Sequence, residues 1–138
     1  MAKLSTLSLS LSQTASILQR LKEAYLIWVN IVPHIAKSSR FTIGTRIEQV
    51  FLDLLEQTYI AYFSSKEQKV AKVNGCILTL DVLKFLVSVA WEGRIISNKH
   101  YKNVGAKLEE AGRMFGGWHK QLANPQKKNR DQQDRGKE

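Results

Sequence analysis

Lys102, Arg113 and Lys120 fall within about 20° of one another on a helical wheel of 100° per residue, with Lys99 about 60° away. Lys37, Arg40 and Arg46 crowd a second stretch, "KSSRFTIGTR". Cations gathered in this way neutralise phosphates, so the chemistry they offer is binding rather than bond-making. The whole chain leans the same way: 21 Lys and Arg against 12 Asp and Glu give 138 residues a formal net charge of +9. That excess implies a polyanionic partner, nucleic acid before an anionic membrane.

Groups for catalysis are few. His34, His100 and His119 are scattered along the chain with no second ligand at metal spacing. Ser38 and Ser39 lack a histidine and carboxylate to make a nucleophilic set, and Glu48, Asp53 and Glu56 read as the solvated face of a helix. The expectation is a protein that is not an enzyme, with no catalytic residue, metal or cofactor. Cys76, the only cysteine, lies among apolar neighbours and reads as a buried thiol in a reducing cytoplasm. The longest apolar run, 82–91, is far shorter than the roughly 20 residues of a membrane span. The leucine–serine alternation near the N-terminus lacks the continuous apolar region of a secretory signal.

Four helical patterns must position these residues. The first covers about 13–37, with Ile17, Leu21, Tyr25 and Trp28 at helical spacing and Pro33 interrupting its last turn. The second covers about 42–63. The third, about 66–95, is apolar over most of its circumference between Cys76 and Trp91 and is relieved only by a stripe of Asp81, Lys84, Ser88 and Glu92. Such a helix needs cover on both flanks, either from a central place in its own bundle or from a neighbouring subunit. The fourth begins at Ser97, an N-cap, and runs to about 122. Tyr101, Val104, Leu108, Ala111, Phe115, Trp118 and Leu122 step along it by three and four, the seam of an antiparallel bundle. Short connections make consecutive helices antiparallel neighbours. The predicted fold is all-α, an antiparallel four-helix bundle over 13–123, between a flexible extension at 1–12 and a disordered basic tail at 124–138.

On the fourth helix the basic stripe lies opposite the seam, with Glu109 inside it and placed to neutralise part of it. Gly105, Gly112 and Gly116 fall at about −40° to −80° on the same wheel, between stripe and seam. Each costs about 1 kcal/mol relative to alanine. Glycines there form a groove that admits another backbone: a neighbouring subunit's helix, a nucleic-acid strand, or a helix of the same bundle. Gly112 and Gly116 are not a membrane dimerisation motif, because Glu109, Glu110 and Arg113 interrupt any apolar segment.

"AKSSRFTIGTRIE", the amphipathic "FLDLLEQ" and "AGRMFGGWHK" together resemble the accessory variability determinant proteins of diversity-generating retroelements. The similarity spans about 21–122, and Gly-Arg-Met-Phe-Gly-Gly-Trp is its most specific part. The resemblance implies a four-helix bundle assembling into a pentameric barrel, which binds RNA or DNA and associates with the retroelement's reverse transcriptase. In that role it supports mutagenic cDNA synthesis from template-repeat RNA without being the polymerase. It places Lys37, Arg40 and Arg46 in the family's basic loop and second-helix start, and Lys84 at a basic position on the third helix. Where the family often carries a second basic residue a turn later, this chain has Ser88. An alternative resemblance is to small four-helix proteins encoded by insertions within ribosomal RNA genes, which share the bundle but account less well for the Gly-Gly-Trp ending.

Overall fold

A computed structural model describes residues 16–124; the expected N-terminal extension, and the expected tail apart from Asn124, lie outside the described residues. Four long helices carry the chain: α1 (Ser16–Ile31), α2 (Thr45–Tyr62), α3 (Lys66–Glu92) and α4 (Asn98–Ala123). Each packs against the next, and α4 returns to α1, so the antiparallel bundle closes on itself.

The periodicities expected of α2 and α4 are those the core uses. Ile47, Val50, Phe51 and Leu54 are buried from α2, and Val104, Leu108, Ala111 and Phe115 from the seam of α4. Trp28 of α1 lies 6.3 Å from Phe51, and Tyr25 meets the same ring edge-on at 5.8 Å. Truncating a buried ring of this size typically costs about 3–5 kcal/mol. Thr58 is the one buried polar residue among those described. Its hydroxyl donates to the Leu54 carbonyl at 2.7 Å and to Cys76 Sγ at 3.8 Å. Burial pushes the Cys76 thiol above its ordinary value, with the Thr58 hydrogen bond working the other way.

Pro33 interrupts the first helix as expected. The α-helix stops at Ile31 and a 3₁₀ turn follows over Val32–His34. The short connection expected between the first helix and a second starting near residue 42 is helical as well: a single turn over Lys37–Ser39 leads into a π-helical turn over Arg40–Gly44 and on into α2. Hydroxyls make this possible, since Thr42 Oγ1 donates to the Ser39 carbonyl at 3.1 Å and Thr45 Oγ1 to the Arg40 carbonyl at 3.0 Å. Glu48 is only half-exposed and accepts the Tyr25 hydroxyl at 3.1 Å, so it ties α1 to α2 rather than simply facing solvent.

Helix α3 has the two apolar faces its composition requires. Val73, Cys76, Leu80, Leu83 and Val87 face the core, whereas Leu78 (67% exposed), Val82, Phe85 (65% exposed) and Val89 form an outer stripe at steps of four, three and four. An 18-residue window of this helix has mean hydropathy 1.7, long and apolar enough to cross a membrane by length and composition. That exceeds what the 82–91 run alone conveys, because neutral residues from Gly75 to Thr79 extend the apolar window. One third of the window (33%) is buried in the bundle, where α3 packs on both α2 and α4 as a core helix.

Candidate nucleic-acid interface

The seam of α4 buries one side of the helix, and the residues opposite it are therefore presented to solvent. Lys99, Lys102, Arg113 and Lys120 are all exposed, and none makes an ion pair among the described residues. From Lys102 to Lys120 the stripe extends about 27 Å at 1.5 Å per residue. Ser97 starts the helix as expected, its hydroxyl accepting the His100 backbone N–H at 3.1 Å.

Glu109 makes its ion pair outside the stripe. Its carboxylate meets Lys84 Nζ of α3 at 3.4 Å, and Lys84 is half-buried in that position. Gly112 explains how the lysine reaches there: a Cβ on Gly112 would lie 2.8 Å from Lys84 Nζ and 3.6 Å from Leu80 Cδ2. The glycine lets a neighbouring side chain of the same bundle cross α4. A Cβ on Gly105 or Gly116 would meet nothing within 4 Å, so those two stay open. Gly105 borders a shallow cleft of about 300 Å³ between Lys84 and Lys102. The three glycines thus separate into one with an internal packing role and two that leave the flank accessible.

Of the second basic group, Lys37 and Arg46 are exposed. Arg40 is tied to the backbone: Nη2 donates to the carbonyls of Ile35 at 3.0 Å and Pro33 at 3.3 Å, which holds the end of the 3₁₀ turn. Beside them Phe41 is 73% exposed, an aromatic ring within a basic turn that the charge pattern alone did not single out. On the other side of the bundle, Arg20, Glu23, Lys107 and Glu110 link α1 to α4, with Arg20 Nε 2.7 Å from Glu110 and Lys107 Nζ 3.1 Å from Glu23. The Lys107 hydrogen bond holds the Glu23 carboxyl below its ordinary value. These cations are spent on internal pairs.

The histidines are not all scattered. His34, in the 3₁₀ turn after α1, and His100 at the start of α4 meet with ring centroids 5.3 Å apart, because an antiparallel bundle brings those two ends together. His119 lies elsewhere on α4. Among the described residues there is no group of three or more His, Cys, Asp or Glu that could hold a metal ion.

The same end carries Arg94, whose φ of 58° is the only positive value among the described non-glycine residues. It occupies the left-handed position that closes α3, where the Ile95 N–H returns to the Ala90 carbonyl at 2.8 Å. Glycine usually takes that position. Gly93 stands one residue too early for it, with φ −76°, and an arginine there costs about 1–2 kcal/mol. Neither the histidine pair nor this turn follows from local periodicity. The adjacency of the first helix's end and the last helix's start, inherent in the predicted topology, was the available signal for the pair.

A family model described as bAvd-like matches residues 15–122, nearly the whole bundle. No curated protein and no solved structure matches the chain. The match covers both basic groups and the Gly-Gly-Trp segment of α4, and the chain belongs to the bAvd-like family, the bacterial accessory variability determinants, non-catalytic accessory proteins of diversity-generating retroelements.

Proposed function

We propose that this chain is a nucleic-acid-binding subunit that works beside the retroelement's reverse transcriptase, holding template-repeat RNA or its cDNA during mutagenic copying. The observation that carries this reading is the outer face of α4, where four exposed cations stand free of ion pairs among the described residues. Lys37 and Arg46 extend the basic surface around the end of the bundle. Lys84 and Arg40 support it from within, one clamping α3 to α4 and the other closing the 3₁₀ turn.

The working form is a homo-oligomer, a pentamer by the family resemblance. The outer stripe of α3 supports assembly, since Leu78, Val82, Phe85 and Val89 leave a long apolar face uncovered in a single chain. Exposed Leu52 and Tyr59 on α2, and Phe63 just after it, add to it. A neighbouring subunit covers such a face without disturbing the inner one, whereas a bilayer would also have to accept Asp81, Lys84 and Glu92. No membrane partner is needed. The test is co-elution of the purified chain with its reverse transcriptase, with and without template-repeat RNA. Separate elution under every condition would remove the polymerase from the reading.

A further inference from the structure

At the end of the bundle where α1 finishes and α4 begins, a cleft of about 620 Å³ opens beside Trp91, Arg94, His34 and His100. Its volume falls within the range of small-ligand sites, about 300–1,000 Å³. Ile35 and Ile95 give it an apolar floor, and among the described residues no carboxylate lines it. We infer that this cleft holds an unpaired nucleotide of a nucleic-acid strand, its base against Trp91 and its phosphate at Arg94 and the histidine pair.

Three observations carry the inference. Trp91 is fixed before any ligand arrives: its Nε1–H donates to Asn98 Oδ1 at 2.6 Å, and its ring stacks on Tyr101 at 4.4 Å and 6°. The residue nevertheless remains 37% exposed. A rigid, partly exposed indole is the platform on which single-stranded bases stack. Second, Arg94 takes a left-handed conformation that glycine would adopt without strain, although Gly93 is adjacent. The strained turn projects a guanidinium at the rim where a smaller residue would close the helix better, which is where strain and function coincide. Third, Asn98, His34 and His100 supply polar groups able to meet a base edge or a phosphate oxygen. A base paired in a duplex has no free face to offer such a cleft, and unpaired bases are the ones read by stacking on aromatic and arginine planes.

The inference rests on the chain's binding nucleic acid, and the test separates the two. The full chain is titrated by fluorescence anisotropy against labelled single-stranded RNA, single-stranded DNA and a duplex of equal length at one salt concentration. Trp91→Leu should weaken single-strand binding by about 5- to 150-fold, the worth of one stacked base, and leave duplex binding unchanged. Arg94→Gly relieves the turn, so its melting temperature should hold or rise while single-strand affinity falls. This variant keeps the test sharp if Trp91→Leu does not fold. Parent-like single-strand binding by folded variants would overturn the cleft assignment and leave the α4 stripe standing, as would an equal loss on duplex. If the strands ignore both substitutions while AMP alone quenches tryptophan emission in the parent and not in Trp91→Leu, the cleft belongs to a free nucleotide and the strand assignment falls. Absence of all binding by the parent would overturn both readings.

Discussion

Changing Lys102, Arg113 and Lys120 together to glutamine removes three cations from the outer face of α4 and touches nothing else the bundle depends on. All three are exposed, none lies in the seam, and none pairs with a carboxylate among the described residues. Glutamine has nearly the helix propensity of lysine and arginine, so circular dichroism and melting temperature should stay close to those of the parent. If each cation meets one phosphate, the slope of log affinity against log salt should flatten by about 2.7 on duplex DNA and about 2.1 on single strands. Between 50 and 200 mM salt, the parent should therefore lose up to about 40-fold more duplex affinity than the variant, and about 20-fold more on single strands. At 0.1 M salt the variant itself should bind up to about 500-fold more weakly to duplex and about 100-fold more weakly to single strands. Anisotropy titrations at four or five salt concentrations measure both quantities. The loss should be alike for different base sequences, because phosphate contacts carry no sequence information. An unchanged slope with a folded variant would show that the stripe is a solvated face, and the surface around Lys37 and Arg46 would then be the place to look.

Light scattering at micromolar concentration should report several subunits, and Leu78→Glu with Phe85→Glu should reduce them to a folded monomer; a monomeric parent would refute the role of the α3 outer stripe. Gly112→Leu should lower the melting temperature, because its side chain must displace Lys84 and separate it from Glu109, whereas Gly116→Leu, with open space and a better helix former, should hold or raise it. Equal effects at the two glycines, read by thermal circular dichroism, would contradict this separation. Cys76 should resist a thiol reagent in the native protein even as pH rises through the ordinary thiol range, because burial raises its pKa, and should react fully in denaturant; labelling of the native protein at neutral pH would mean that the α2–α3 contact opens readily. Below the ordinary glutamate range, about pH 4, protonation of Glu23 should destabilise the link between α1 and α4. Its pKa is lowered in the fold, so the contribution is present above the unfolded value and lost as pH falls through the folded one; Glu23→Gln should reduce that acid-side loss, and an unaltered profile would count against the pair.

What could be read from the sequence divides by the distance over which the signal acts. Helix existence, the α4 seam, the Ser97 cap and the break at Pro33 depend on spacing within a few turns, and those expectations hold. The outward placement of Lys99, Lys102, Arg113 and Lys120 follows from the same wheel, because one buried stripe determines the opposite face. The fate of Glu109 does not. On α4 alone Arg113 is its natural partner at four residues' distance, yet Lys84 arrives from α3 across a position that only glycine leaves free. The single-helix wheel could locate Gly112 on the flank but could not say whose side chain fills that flank.

The same limit explains the end of the bundle. The π-helical turn at Arg40–Gly44 depends on which carbonyls the Thr42 and Thr45 hydroxyls reach, and apolar spacing alone started the second helix only near residue 42. His34 and His100 are 66 residues apart in sequence and adjacent in space, so no spacing rule brings them together. Arg94 is harder still, since Gly93 is the residue a reader would assign to the left-handed closure of α3. A bundle core tolerates many apolar exchanges of similar volume, whereas a strained arginine beside an available glycine persists only if the surrounding structure enforces it. The Arg94 N–H to Trp91 and Ile95 N–H to Ala90 bonds provide that enforcement here. The side of α4 therefore owes its basic face to helical periodicity alone. The end of the bundle owes its cleft to contacts among α1, α3 and α4, and substitutions in any of those three helices should alter it.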